Sequence, residues 1–434
     1  MANNPFTYGN PISDPRRFFG REHEIELIFS RLRNAEFESS SLVGERRIGK
    51  TSLLNYLADV DVRRRYDLLP GTHMFVYVDL QIMNQEVTPV RLWQRVLRQM
   101  GRVCQDPTVH QAIDEIRQQD AIDNFALADL FDIVDEKNQF VVFLLDEFEK
   151  VTVNSNFGTD FFYGLRSLAI QHHLALVTSS RRELIELCHS DAIRSSPFFN
   201  IFANINVGLF TADEARELID TSLAGTGVEF SENIIQMIFR VAGFHPYFLQ
   251  VACHHAFESY RRPMSELERA QIIAGKLYQE ASPHVANYWH TSDEHEKIVL
   301  TVLSLLERRG RAGDQRFDLS NLREYYTRSE QTLSRLEKRG LIVEQEDGFK
   351  LFNAAFGDWI TEEITDVAHD PQGYEDWLRA NRSVFDKLSN TAKSEMGQIL
   401  PKISGQYRDL ILGWVGDPKN LITAAALLRG VLAR

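Results

Sequence analysis

The sequence of 434 residues lacks several features that indicate particular classes of protein. No apolar run reaches the roughly 18 residues that a membrane-spanning helix needs, and the amino-terminal residues lack the apolar centre of a secretory signal peptide. Internal repeats and low-complexity tracts are not found either. We therefore expect a cytoplasmic protein that has no membrane partner.

Cysteine and positive charge are both scarce. Only three cysteines occur, far apart in the chain, so a disulfide framework is not expected and a reducing compartment fits. Cys253 precedes two histidines, but its neighbours form a helical apolar stripe, which favours a core position over a metal site. The net charge of −13 argues against a nucleic-acid interface that acts through the whole surface, so any DNA binding must be local.

What is present is the composition of a globular protein, with 44% hydrophobic and 25% charged residues. In the first half, short β-branched and aromatic runs bounded by polar residues predict buried parallel strands at 41–43, 74–80, 140–145 and 174–178. Helical patterns lie before and between them, at 22–32, 89–103 and 160–171. This alternation predicts an α/β fold with right-handed crossovers. The polar segment 105–133 fits the sheet poorly, and we interpret it as a helical insertion.

The segment GERRIGKTS matches the P-loop pattern G-x-x-x-x-G-K-[ST] and lies between a predicted strand and a predicted helix. Such a loop wraps a phosphate with backbone N–H groups at a helix N-terminus. Lys50 would reach the β- and γ-phosphates, and the Thr51 hydroxyl would bind magnesium. The sequence therefore predicts binding of ATP or ADP with Mg²⁺. The expected nucleotide contacts are Gly44, Glu45, Arg46, Arg47, Ile48, Gly49, Lys50, Thr51 and Ser52.

Two further strand ends support this site. Asp146 and Glu147 follow an apolar strand at the edge where α/β folds bind ligands. We expect Asp146 to hold the magnesium and Glu147 to orient or deprotonate the attacking water. The next strand ends at Ser180 and Arg181, where a hydroxyl can fix the water and a guanidinium can sense the γ-phosphate. The expected catalytic residues are Lys50, Asp146, Glu147 and Arg181.

With these motifs the chain resembles the STAND branch of the AAA+ ATPases and, more distantly, the origin-recognition and helicase-loader ATPases. The resemblance spans residues 15–365 and rests on FGRE at 19–22, GERRIGKTS, FLLDEFEK, Ser180-Arg181 and GFHPY at 243–247. It implies that the stretch from Arg16 through Phe19 to Gly20 lies near the adenine. It also implies that Pro246, which resembles the proline of the family's GxP motif, couples a lid helix to the nucleotide.

The second half of the chain is mainly helical. Successive amphipathic helices at 212–223, 231–241 and 246–260 predict a lid, and three later helices followed by a hairpin around Asp347-Gly348 have the order of a winged helix. We expect an α/β nucleotide-binding domain at 1–206, a helical lid at 207–287, a winged helix at 288–366 and a C-terminal helical bundle at 372–434. The bundle is either a stabilising cap or a docking module for a separately encoded effector.

The resemblance implies a nucleotide-driven switch, in which ADP favours a closed monomer and ATP promotes oligomers. We expect slow ATP hydrolysis, self-association and a role in signalling or defence. The alternative is a DNA-associated loader or transposition-type ATPase. It is less favoured because Arg335 and Arg339 in the winged helix are interleaved with acidic residues. A switch that binds nucleotide without hydrolysis is a third possibility, and the Asp146-Glu147 pair argues against it.

Overall fold

The computed structural model describes residues 3–293, 295–297, 299–300, 303–304, 329–345 and 348–360. The predicted C-terminal bundle at 372–434 and much of the predicted winged helix lie outside these residues. The chain divides into two compact units, one of Gly9–Gly208 and the other of Met1–Tyr8 with Leu209–Arg434. Across the described residues, no helix is long and apolar enough to cross a membrane.

A five-stranded parallel sheet forms the centre of the first unit, in the order β2-β3-β4-β1-β5. Its strands are β1 (Ser39–Val43), β2 (His73–Asp79), β3 (Phe140–Asp146), β4 (Leu174–Ser180) and β5 (Phe202–Asn206). Its helices are α1 (Glu22–Arg33), α2 (Lys50–Ala58), α3 (Val60–Arg64), α4 (Pro89–Val103), α5 (Pro107–Arg117), α6 (Asn124–Glu136), α7 (Glu149–Thr152), α8 (Thr159–Gln171) and α9 (Asp191–Arg194). The α/β fold class predicted from the sequence is confirmed.

Strand β3 shows why the sheet forms. Its sequence, FVVFLLD, is buried almost throughout, as expected of an inner strand whose two faces are both covered. The segment that we interpreted as an insertion, 105–133, is helical, but α5 and α6 are part of the main core. Val109, Ile113, Leu127 and Phe131 are fully buried in one cluster with residues of β2 and β3. Helix α6 therefore belongs to the connection that leads into β3.

The second unit consists largely of helices, with a small antiparallel hairpin near the end of its described part. The elements are α10 (Ala212–Leu223), α11 (Glu232–Ala242), α12 (Pro246–Ser259), α13 (Glu266–Thr291), α14 (Ser329–Lys338), β6 (Ile342–Gln345) and β7 (Gly348–Leu351). Capping boxes at Thr211 and Ser265 begin α10 and α13. Cys253 is buried in α12, as its apolar neighbours predicted. Phe6 from the amino-terminal arm stacks on Phe230 in the same unit.

Candidate functional site

The loop between β1 and α2 has a backbone that only certain residues can adopt. Gly49, directly before α2, has a φ of 108°, in the left-handed region that favours glycine. Gly44 is required for a different reason, because a Cβ at this position would lie 2.4 Å from the Val207 carbonyl oxygen. The Gly44 N–H donates to the Ser180 carbonyl at 3.1 Å, which joins the base of the loop to the end of β4.

Lys50 is the first residue of α2, and its side chain reaches back to this loop, where the residue is 6% exposed. Its ammonium group donates to the carbonyl oxygens of Gly44 at 2.6 Å and Glu45 at 3.1 Å. Burial lowers the pKa of Lys50, and the charge of Glu149 heads the carboxylates that oppose this change. The loop therefore surrounds a cation at the N-terminus of a helix, an arrangement suited to an anionic phosphate.

Asp146, at the end of β3, is 4% exposed and is the centre of a hydroxyl network. Its Oδ2 accepts hydrogen bonds from the Thr51 hydroxyl at 2.7 Å and from the Tyr77 hydroxyl at 3.0 Å. Its Oδ1 accepts a hydrogen bond from the Ser179 hydroxyl. Burial and the charge of Asp146 raise the pKa of Tyr77, so this phenol remains a donor. Two neighbouring strands and one helix thus supply the hydroxyls around the single carboxylate at the end of β3.

The Thr51 and Asp146 oxygens fit a magnesium ion. Neighbouring ligands of an octahedral ion with bonds of about 2.0–2.1 Å are about 2.9 Å apart. Oγ1 of Thr51 and Oδ2 of Asp146 are 2.7 Å apart, so both could bind one ion after a small adjustment. The two oxygens also belong to the hard donor types that Mg²⁺ prefers.

Glu147 directly follows Asp146 in a backbone conformation that is unusual for its residue type. Its φ is 57°, in the left-handed region, and its side chain is half-buried. The Glu147 N–H donates to the Ser179 hydroxyl oxygen at 3.0 Å, which fixes this turn. Strained backbone of this kind is concentrated at functional sites in proteins.

At the end of β4, the two adjacent serines have different partners. Ser179 contacts Asp146 and Glu147, whereas the Ser180 hydroxyl donates to the Arg182 carbonyl at 2.6 Å. Arg181 is half-buried, and its Nε donates to Oε1 of Glu149 at 3.3 Å. The structure therefore brings Lys50, Thr51, Asp146 and the end of β4 to one edge of the sheet. It also adds Tyr77, Ser179 and Glu149, which the sequence analysis did not single out.

The amino-terminal motif contacts the loop through Arg21, which was not among the site residues expected from the sequence. Phe19 is half-buried, Gly20 is buried with a φ of 67°, and Arg21 donates to the Ile48 carbonyl at 3.2 Å. The same guanidinium group donates to the Gly208 carbonyl at 2.6 Å. Arg21 therefore links the start of the first unit to its loop and to its last residue.

The remaining predicted contacts lie on the outside of the loop or in the other unit. Arg46 and Arg47 are exposed, and Arg47 donates to the Gly9 carbonyl at 3.1 Å. The Ser52 hydroxyl oxygen accepts a hydrogen bond from the Ile12 N–H at 3.0 Å. Pro246 belongs to the second unit and is the first residue of α12, where its fixed φ suits a helix start.

The sequence and the fold are both similar to those of known proteins. The family model described as Novel STAND NTPase 2 matches residues 34–302. No curated protein matches the chain. The structure is similar to the Walker-type ATPase of Pyrococcus abyssi, at 15% identity and a TM-score of 0.51 over 81% of this chain and 99% of that one. It is also similar to the ORC2 protein of Aeropyrum pernix, at 16% identity and a TM-score of 0.50 over 83% and 98% of the two chains.

At these identities the two structures establish the fold, while the family match concerns the sequence itself. That match covers more than half of the chain and includes the loop around Lys50, the Asp146-Glu147 pair and Pro246. The chain belongs to the novel STAND NTPase 2 family and is a P-loop NTPase.

Proposed function

We propose that this protein is a molecular switch that binds ATP with Mg²⁺ and hydrolyses it slowly. The observation that carries this proposal is the 2.7 Å contact between the Thr51 hydroxyl and Asp146, next to the buried Lys50 ammonium. A cation and a pair of oxygens suited to magnesium are the two things that a triphosphate needs from such a site. Bound magnesium would neutralise phosphate charge as the γ-phosphoryl group leaves.

Each residue at this edge of the sheet has a separate proposed role in binding or hydrolysing the nucleotide. Lys50 and the backbone N–H groups of residues 44–52 bind the phosphates, while Thr51 and Asp146 hold the magnesium. Glu147 orients the attacking water or accepts its proton, and Arg181 binds the γ-phosphate. Phe19 and Gly20 are proposed to contact the adenine, and Pro246 is proposed to couple the lid helix to the nucleotide. The Ser180 hydroxyl, which was expected to fix the water, donates to the Arg182 carbonyl at 2.6 Å, so Ser179, beside Asp146 and Glu147, takes its place as the proposed contact of the water.

Contacts within the second unit support a switch whose lid is coupled to the helix and hairpin that follow it. A Cβ at Gly243, three residues before Pro246, would lie 2.0 Å from the Phe352 carbonyl oxygen. The Asn353 amide donates to the Ala242 carbonyl at 3.2 Å, and the Tyr288 hydroxyl hydrogen-bonds to the His245 ring at 3.1 Å. A change at the start of α12 would therefore be passed directly to the segment after β7. We propose that this segment belongs to a winged helix that acts as an intramolecular clamp.

The same unit provides an argument against the DNA-binding alternative. Arg339 forms an ion pair with the fully buried Glu296, in which Nη1 and Oε2 are 2.6 Å apart. Arg335 pairs with Asp293, with 3.0 Å between Nη1 and Oδ2. Phosphate neutralisation requires cations that are not already paired within the protein. The winged-helix arginines that would contact DNA are thus compensated from within. A steep salt dependence of duplex DNA binding, abolished by Arg335→Glu, would favour the loader-type function instead.

Two substitutions test the nucleotide chemistry. Lys50→Ala is expected to lose nucleotide binding, because the loop then lacks its central cation. Glu147→Gln is expected to bind ATP but to release phosphate slowly, because the attacking water loses its base. Lys137→Ala, which removes an exposed lysine after α6, is the matched control for Lys50→Ala. Titration calorimetry and a phosphate-release assay give the two readouts, and normal turnover in Glu147→Gln would refute its catalytic role.

Nucleotide-dependent self-association is the test of the switch. We propose that ATP promotes self-association in the cytoplasm and that the C-terminal residues 372–434 dock a separately encoded effector. Mass photometry with ADP and then with a nonhydrolysable ATP analogue should show larger particles with the analogue only. Identical mass distributions in the two states would leave a P-loop NTPase without nucleotide-controlled assembly and would count against the switch.

A further inference from the structure

Glu149, the first residue of α7, is a buried carboxylate that the proposed chemistry does not use. Glu149 lies two positions after Glu147 in the sequence and is 3% exposed. A carboxylate in such a position is costly unless cations or hydrogen-bond donors compensate for it. The donors and cations around the Glu149 carboxylate therefore indicate its role.

One oxygen of Glu149 is engaged by Arg181. Both the backbone N–H and Nε of Arg181 donate to Oε1 at 3.3 Å. The contact through Nε uses one of the five N–H donors of the guanidinium group. Arg181 is thus attached to Glu149 and still carries donors on its terminal nitrogens, which are the atoms suited to a phosphate.

The other oxygen of Glu149, Oε2, is buried and accepts no hydrogen bond from the described residues. The charge of Glu149 nevertheless acts on a second cation. Among the carboxylates that oppose the lowering of the Lys50 pKa by burial, Glu149 is the strongest. Burial raises the pKa of Glu149 in turn, while Lys50 and Arg181 both act to lower it. Glu149 is thus the counter-anion of Arg181 by direct contact, and its charge also acts on Lys50.

We propose that Glu149 is a competitor of the γ-phosphate: it neutralises Lys50 and Arg181 in the nucleotide-free protein and so weakens the binding of the triphosphate relative to the diphosphate. This inference rests on the proposed function, because it requires the triphosphate to approach both cations. A γ-phosphate would bring its negative charge to the cations on which the Glu149 charge already acts. The carboxylate of Glu149 and the γ-phosphate would then repel each other, because they are like charges in one site. Glu149 thereby sets the ATP concentration at which the switch responds.

The substitution Glu149→Gln separates charge from contact. The glutamine keeps an amide oxygen that can accept the two Arg181 hydrogen bonds, but it carries no charge. Removing a negative charge within about 10 Å of a phosphate, at an effective dielectric constant near 20, is expected to tighten binding by at least about tenfold. The ADP affinity should change by a smaller factor, because ADP has no group at the γ position. Glu149→Ala, which also removes the charge, should shift the ratio of affinities in the same direction.

The test is titration calorimetry of the full chain with Mg²⁺ and either ADP or a nonhydrolysable ATP analogue. Glu136→Gln removes the charge of an exposed glutamate at the end of α6 and is the matched control. In an Arg181→Ala background, Glu149→Gln should lose part of its effect, because one of the two contested cations is gone. This loss of additivity distinguishes a shared cation from a general change of charge.

The outcomes are distinct. A higher preference for the ATP analogue in Glu149→Gln, with no change in Glu136→Gln, supports the competitor role. Weaker binding of the analogue, or an equal change for both nucleotides, overturns it and leaves Glu149 as a support for Arg181. Failure of the unsubstituted protein to bind either nucleotide would instead refute the proposed function.

Discussion

Replacing Gly44 by alanine tests the geometry at the base of the phosphate loop. The added Cβ would meet the Val207 carbonyl oxygen at 2.4 Å and Cγ2 of Ile48 at 3.0 Å. The first contact is with the backbone, which cannot rotate away as a flexible side chain can. Relief therefore requires β1 and the segment after β5 to separate, and the Val207 N–H donates to the Val43 carbonyl there at 2.7 Å.

The magnitude follows from these contacts. Weakening one or two backbone hydrogen bonds costs about 1 kcal/mol each, and over-packing adds about 1–3 kcal/mol. We expect Gly44→Ala to lower the free energy of unfolding by about 2–4 kcal/mol. Urea denaturation followed by circular dichroism measures this value, provided that the transition has a single step. Nucleotide affinity should fall as well, because the loop shifts relative to the Ser180 carbonyl that accepts from Gly44.

Two other glycines provide controls with the same chemical change. Gly71 has open space at its Cβ position and no left-handed φ, so Gly71→Ala should change stability by less than about 0.5 kcal/mol. Gly49 also has open space but a φ of 108°, so Gly49→Ala should cost about 1–2 kcal/mol through backbone strain alone. Equal losses at Gly44 and Gly71, or a larger loss at Gly49 than at Gly44, would refute this reasoning.

Further predictions concern two polar networks. Tyr77→Phe removes one of the three hydroxyl donors of Asp146, and because Tyr77 is only half-buried we expect a loss of about 1.5 kcal/mol in unfolding free energy, measured by urea denaturation. A loss below the error of the measurement would show that water replaces the phenol. Arg339→Ala removes the cation that pairs with the fully buried Glu296, which then retains the Asp293 N–H at 2.9 Å, and should cost about 3–5 kcal/mol, measured by the same transition. Glu296→Gln in the Arg339→Ala background should recover part of that cost, and no recovery would argue against the buried charge as its cause.

The helices could be predicted because their apolar patterns are long and periodic, and the inner strands because their short apolar runs are bounded by polar residues. Helix α4 and helix α10 have the ends that the sequence indicates, since Thr88 and Thr211 cap them. Strand β5 was missed because FANIN is short, polar in part and only partly buried. Segment 105–133 was misjudged because polar and charged residues separate its apolar ones, yet Val109, Ile113 and Ile116 follow a helical spacing and reach the core.

The site was predictable where one motif defines it and less so where the fold assembles it. Thr51 and Asp146 are 95 residues apart in sequence, yet each is marked by its own motif. Tyr77 lies within an apolar strand, and only the register opposite Leu144 brings its hydroxyl to Asp146. Ser179 differs from Ser180 only by strand alternation, which sends adjacent side chains to opposite faces. Glu149 resembles any exposed glutamate until the fold buries it.

The Lys50 ammonium donates hydrogen bonds to two carbonyl oxygens of the phosphate loop, and these bonds affect the rate of nucleotide binding. A loop that keeps its shape through internal hydrogen bonds has little conformational entropy left to lose when a ligand arrives. Capture of nucleotide should then be limited by diffusion and orientation, with no slow folding of the loop beforehand. The lifetime of each state would be decided by the rate at which nucleotide leaves, which makes dissociation the step for a regulator to control.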